Sequence, residues 1–239
     1  MLFFISQAKE GDLIRLSDEE QRHLYALRPR IGDELTLSDG KGFTFDAQIT
    51  AADKKGFTIT VGKASPIEKD ASETTLFLAL LKGEKIETVI QKCTEIGITE
   101  IALFSSANCV VSAKGKEESK LSRYRKVAQM AAMQCGSPLI PEISGILTFD
   151  EAVEMMKAKN GVFFYEKAQS LLSPWLRGDE RAKTEISFMT GPEGGFTPEE
   201  AEKIIAAGIP SLSLGKRILR AETAPLCALS VIKAFRGEI

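Results

Sequence analysis

The chain has 239 residues, 44% hydrophobic and 27% charged, the composition of a globular protein with one large domain or two smaller ones. Its 31 basic and 33 acidic residues nearly cancel, so net charge announces no nucleic-acid binder and leaves only local patches to be sought. No apolar run reaches the roughly 18 residues of a membrane span, Cys93, Cys109, Cys135 and Cys227 form no C-x-x-C pair, and His23 is the single histidine, which argues against structural zinc and fits a reduced, cytoplasmic protein.

The opening "MLFFISQAKEGD" lacks the basic start and cleavage site of a signal peptide and reads as a strand. "SDEEQRHLYAL" is a helix, with Ser17 and Glu20 spaced as a capping box. "DELTLS", "GFTFDAQIT" and "GFTITVGKA" alternate apolar and polar residues as strands do, with turns at Asp39-Gly40 and Lys55-Gly56. The polar stretch "SPIEKDASE", residues 65–73, reads as a linker. The expected division is therefore a β domain over 1–70 and a second domain over 74–239.

Beyond the linker the rhythm changes. "TTLFLALL", "EIALFSS", "LIPEI", "GVFFYE", "EISFMT" and "SLSL" read as strands. Between them lie the helices "EKIETVIQKCTEIG", "KLSRYRKVAQMAAMQCG", "TFDEAVEMMKAK" and "TPEEAEKIIAAG", and "TAPLCALSVIKAFRG" closes the chain. Pro174 and Trp175 mark an irregular stretch, and Met130 and Met133 are assigned to the core. Alternating strands and helices imply an α/β domain built on a parallel sheet.

Two loops follow adjacent strands of this pattern. In "MTGPEGGFTPEE" Thr197 is an N-cap, Pro198 takes the first helical position and Glu200 completes a capping box, so Gly191 to Phe196 joins a strand to a helix. "GKRILRAETA" has the same placement. Ligands of parallel sheets bind at the carboxyl ends of strands, and glycines let a ligand approach the backbone. The loops are either tight turns or two walls of one pocket. The spacing is not that of a phosphate-binding loop, and Glu193 and Glu222 favour a neutral or cationic ligand.

"GPEGGFTPEE" followed by "LSLGKRILRAETAPLCAL" resembles the bacterial 16S ribosomal RNA uracil N3-methyltransferases of the SPOUT superfamily. "ALLKGEKIETVIQKCTEIGITEI" and "HLYALRPRIGD" extend the resemblance over most of the chain. It implies a PUA-like N-terminal β-barrel, a parallel sheet with a C-terminal trefoil knot, a homodimer, and S-adenosylmethionine held in the knot loops. Carried over, Gly191, Glu193, Gly194, Gly195, Leu214, Gly215, Ile218, Leu219 and Ala224 hold the cofactor. The chain departs from the family where Met133 and Ser137 replace a glutamate and an arginine four residues apart, and where "MLFFIS" lacks an early arginine.

The implied reaction needs the proton on uracil nitrogen 3 removed. Glu222 is the candidate acceptor and Arg220 the candidate stabiliser of charge on the uracil oxygens; the competing reading is an ion pair that only holds the loop. Residues 114–126 carry six basic and two acidic residues. Arg123, Arg125 and Lys126 there, Arg217 beside Lys216, and Arg22, His23, Arg28 and Arg30 near the N-terminus form a candidate track for RNA phosphates; separate solvated faces are the alternative. Two other functions share the pocket: methylation of a different RNA position such as a ribose hydroxyl, and non-catalytic RNA binding in ribosome assembly.

Overall fold

The computed structural model describes residues 1–68, 72–110, 115 and 117–239. Two compact units are present, Met1–Lys69 with Ala132–Ile140, and Asp70–Ala131 with Pro141–Ile239. The short segment 132–140 thus belongs with the N-terminal unit, whereas the sequence reading placed it in the second domain.

The first unit runs β1 (Leu2–Phe4), β2 (Leu13–Ile14), α1 (Asp18–Ala26), β3 (Glu34–Ser38), β4 (Phe43–Asp53) and β5 (Gly56–Pro66). The sheet order is β1-β3-β4-β5-β2, with β1 parallel to β3 and the other pairs antiparallel. Alternation along β4 and β5 turns Phe45, Ala47, Ile49, Phe57, Ile59 and Val61 into the core. The capping box of α1 forms as expected. Helix and hairpin are then locked by Gln21, whose amide donates to Phe57 O (3.0 Å) and accepts from Phe57 N (3.1 Å). A Cβ on Gly56 would come within 2.8 Å of that amide, so the turn admits only glycine. Ala132 and Met133 pack in this core, so Met133 serves here as an apolar core residue. Ser137 Oγ donates to Leu139 O, closing a local turn.

The second unit contains β6 (Glu73–Ala79), α2 (Lys85–Ile96), β7 (Glu100–Phe104), most of α3 (Glu117–Cys135), β8 (Glu142–Leu147), α4 (Phe149–Ala158) and β9 (Gly161–Phe164). It continues through β10 (Ser170–Leu171), α5 (Leu172–Gly178), a 3₁₀ turn (Glu180–Lys183), β11 (Glu185–Thr190), α6 (Pro198–Ala206), β12 (Ser211–Ser213) and α7 (Thr223–Arg236). The seven strands are all parallel, in the order β10-β12-β9-β11-β6-β7-β8.

Three expectations need correction. The strand placed at 139–143 starts at Glu142, after Pro141, which lacks an N–H to donate. The stretch around Pro174 is the helix α5; Pro174 sits in its first turn, where the missing N–H costs nothing. Met130 is exposed rather than core. Among the described residues no helix is long and apolar enough to cross a membrane, and no cluster of three metal-ligating side chains occurs.

Candidate active site

The order of the large sheet sets the site. The chain lays down β6, β7 and β8 outward in one direction, then places β9, β11 and β12 on the other side of β6. The reversal of strand order, where parallel sheets bind ligands, lies between β11 and β6, and the loops leaving the carboxyl ends of the adjacent strands β12, β9 and β11 gather beside it. They enclose a cavity of about 630 Å³ lined by residues 164–166, 190–196 and 212–222, with Ala224 and Lys85. That volume lies within the roughly 300–1,000 Å³ usual for small-molecule sites.

The first loop is held by a core anchor, a turn and contacts from the loop after β7. Phe196 packs into the core against Phe104 and Phe163, and anchors the loop's end. A Cβ on Gly191 would lie 3.2 Å from that ring. Gly195 N donates to Pro192 O (2.9 Å), closing a turn that holds Gly195 at φ +68°. Asn108, in the loop after β7, donates to the carbonyls of Gly194 and Gly195, both at 3.1 Å. It approaches so closely that a Cβ on Gly194 would sit 2.9 Å from its own Cβ. Glu200, the capping-box residue of α6, also accepts from Ala107 N (2.8 Å) and so ties the same loop to α6.

The second loop turns at Gly215, φ +124°, where Ser213 Oγ bridges the N–H and C=O of Gly215. It ends as Arg220 O accepts from Thr223 N and Ala224 N, starting α7. Between these points Lys216, Arg217, Ile218 and Arg220 are exposed. No ion pair holds Arg217 or Arg220 among the described residues.

Lys85 joins the two loops electrostatically. Its Nζ lies 3.0 Å from Glu193 Oε1 and 3.3 Å from Glu222 Oε2. The second contact is an ion pair without hydrogen-bond alignment, and buried Glu222 Oε2 has no hydrogen-bond partner among the described residues. The hydrogen bond to Glu193 holds the Lys85 ammonium above its ordinary pKa, against partial desolvation and with help from Glu222. Desolvation pushes the Glu193 carboxyl up, but N–H donation from Glu193 itself and Lys82, together with Lys85, brings it below its ordinary value. With Lys85, Lys216, Arg217 and Arg220 on its walls, the cavity is less acidic than Glu193 and Glu222 alone suggest.

Every residue assigned from sequence to the cofactor lines this cavity, as do Arg220, Glu222 and Arg217. Arg220 and Glu222 form no ion pair with one another; the partner of Glu222 is Lys85. Sequence reasoning missed Lys85, the first residue of α2, and Asn108 and Glu166, on the loops after β7 and β9. The remaining basic candidates are dispersed. Arg22, His23, Arg28 and Arg30 are exposed on and after α1, Arg28 at φ +54°. His23 packs edge-on against Phe3, and Arg22 donates to Asp18 O. On α3, Arg123 pairs with Glu87 (2.7 Å) and Arg125 with Glu118 (2.9 Å), while Lys126 is exposed. Lys114 and Lys116 of the basic stretch lie outside the described residues.

Comparison with known proteins gives consistent results. An RNA methyltransferase domain family matches residues 68–233, and an RNA methyltransferase PUA domain family matches residues 16–62. Ribosomal RNA small subunit methyltransferase E of Synechocystis is 31% identical, over 87% of this chain and 68% of its own. The Bacillus subtilis protein of the same name is 28% identical over 98% of this chain and 94% of its own. A ribosomal RNA small subunit methyltransferase E from Neisseria gonorrhoeae, solved bound to S-adenosyl methionine, has a TM-score of 0.86 at 30% identity, covering 98% of this chain and 96% of that one. A Legionella pneumophila methyltransferase structure with bound cofactor SAM has a TM-score of 0.87 at 29% identity, with the same coverage.

Proposed function

The chain belongs to the RNA methyltransferase domain family, and on that footing we propose that it methylates small-subunit ribosomal RNA at ring nitrogen 3 of a uridine, with S-adenosylmethionine as methyl donor. One observation carries the reading: a single cavity collects both motif loops, with Arg220 and Glu222 on the same wall.

The residues present suit this cofactor. The glycine-rich loop offers backbone N–H and C=O groups beside apolar side chains such as Phe164, Leu212 and Leu219, the mixture an adenosine needs. Gly194 has no space for a side chain against Asn108, and Gly195 holds a positive φ with open space on its Cβ side, where a side chain would be strained. Glu193 and Glu222 line the cavity with two carboxylates against the single shared ammonium of Lys85, which leaves negative charge for a cationic ligand. In this reading Gly191, Glu193, Gly194, Gly195, Leu214, Gly215, Ile218, Leu219 and Ala224 hold the cofactor.

Bound there, S-adenosylmethionine supplies an electrophilic methyl group. The chain's own residues then have two tasks. Nitrogen 3 of neutral uracil carries a proton, and Glu222 accepts it as the nitrogen lone pair is committed to the new bond. Negative charge spreads onto the flanking carbonyl oxygens, and the unpaired guanidinium of Arg220 stabilises it. Exposed cations, among them Arg217, Arg22, Arg28 and Arg30, position the RNA through phosphates. The reading also includes a homodimer and a knotted second domain, as the sequence resemblance implies; light scattering at several concentrations tests the dimer.

The test is methylation of small ribosomal subunits, and separately of their naked RNA, from a strain lacking this gene. Mass analysis of the digested RNA should show 3-methyluridine. A 2′-O-methylated nucleoside would move the assignment to a ribose, and no product with measurable cofactor binding would leave a non-catalytic RNA-binding role.

A further inference from the structure

The start of α2 differs from those of three other helices in its cap and in its first residue. α1, α4 and α6 open with side-chain caps and acidic first turns, as the positive end of a helix dipole favours. α2 keeps an acidic residue in its first turn, Glu87, but opens on Lys85, after Glu84, whose side chain makes no cap. A cation in that position opposes the dipole. A local choice that contradicts local physics points to a requirement set elsewhere.

That requirement is visible at the other end of the side chain. The Lys85 ammonium contacts Glu193 on the glycine-rich loop and Glu222 on the loop entering α7. The two carboxylates are not equally dependent on it. Glu193 Oε1 also accepts from Lys82 N at 3.1 Å. Glu222 stands at the N-cap of α7 but makes no cap hydrogen bond, and its buried Oε2 has no hydrogen-bond partner. Lys85 is therefore the one charged group seen to fix the Glu222 side chain among the described residues. Without it, two partly buried carboxylates would be left facing the cavity with no cation between them.

We infer that Lys85 is a positioning residue: a strut from the start of α2 that joins the two cavity loops and sets the Glu222 carboxylate in place. Its catalytic consequence rests on the function proposed above, whereas the strut itself does not. Lysine suits the task because its ammonium is a compact charge that two carboxylates can share from different directions.

The experiment uses the full chain with Lys85→Met, Lys85→Arg, Glu222→Gln and the Lys85→Met/Glu222→Gln double variant. Amide exchange is followed without cofactor at Lys82, Gly195, Thr223 and Ala224, whose N–H groups are bonded within or against the two loops. Lys85→Met should speed exchange about tenfold at Thr223 and Ala224, with less effect at Lys82 and Gly195. Lys85→Arg, which keeps the charge, should restore much of the protection. In turnover, Lys85→Met should lower kcat about tenfold with little change in cofactor Kd, and should cost nothing further in the Glu222→Gln background, as coupled residues do.

Unchanged exchange in Lys85→Met overturns the strut. Looser loops with an unchanged kcat, or an equal loss in the Glu222→Gln background, overturn its action through Glu222. If the unmodified protein binds cofactor but methylates no small-subunit RNA, the functional reading fails, and the exchange comparison decides the strut by itself.

Discussion

Among the described residues Glu222 makes no cap hydrogen bond; its side chain is half-buried at the cavity wall, and its buried Oε2 meets only the Lys85 ammonium, at 3.3 Å and without hydrogen-bond alignment. The ion pair with Lys85 offsets that burial only in part, which fits a carboxylate kept open to accept a proton rather than one committed to a cap. Glu222→Gln keeps the shape and removes the proton acceptor. Turnover should fall about a hundredfold or more, with cofactor affinity little changed; equal losses in both would assign Glu222 to holding the loop. Gly195 is read through its backbone. At φ +68° a β-branched residue is strained, so Gly195→Val should weaken S-adenosylmethionine binding at least about tenfold, roughly 1.4 kcal/mol, by calorimetry. Unchanged affinity in the folded variant removes this loop from the cofactor site. Both residues were legible because their types speak locally: a glycine asks for backbone freedom, a carboxylate for a proton or a cation. Lys85 was not legible. Its partner Glu193 lies 108 positions away, and only the sheet order brings them together.

The elements with clear local signals appear where the sequence puts them. Capping boxes at Ser17, Thr148 and Thr197 all form, and Gly97 closes α2 in the left-handed conformation. Elements decided by tertiary contacts do not announce themselves. β2 and β10 are two residues long and exist only through pairing with β5 and β12. α5 was hidden because proline reads as a breaker, although it is tolerated in a first turn. The loop after β7 is the most consequential case: nothing in "SSANCV" reveals that Asn108 will grip the glycine-rich loop. Asn108→Ala removes two hydrogen bonds to the carbonyls of Gly194 and Gly195. At about 1 kcal/mol each, the lost bonds loosen the loop before it binds, so cofactor affinity should fall roughly five- to thirtyfold and the melting temperature by a few degrees. Affinity equal to that of the unaltered protein would show that the loop holds its shape without Asn108.

At the scale of the molecule, the sequence marks a β unit followed by an α/β unit, but the return of residues 132–140 to the first unit could not be read from it. A helix pattern running from Lys120 to Gly136 gives no reason to change units partway. The reason lies in packing: Ala132 and Met133 join Phe3, Leu24 and Leu37 in one core. This changes how an RNA-placing role proposed for the N-terminal unit is best tested. A fragment beginning at residue 74 would keep Ala132 and Met133 while losing the core that covers them, and would expose apolar surface that a folded chain buries. Substitution in the full chain avoids that confusion. Arg22, Arg28 and Arg30 are exposed, and the structure assigns none of them an ion pair to a carboxylate among the described residues. Arg123 and Arg125, by contrast, are held by Glu87 and Glu118 and must give up those pairs to meet a phosphate. The triple variant Arg22→Ala, Arg28→Ala, Arg30→Ala should therefore weaken RNA binding and flatten its dependence on salt, by about one unit of log–log slope per lost phosphate contact. Arg123→Ala should change the slope less. S-adenosylmethionine affinity, which the proposed site assigns to loops of the second unit, should be the same in every variant. A slope that survives the triple change while falling with Arg123→Ala would move the phosphate track from α1 to α3.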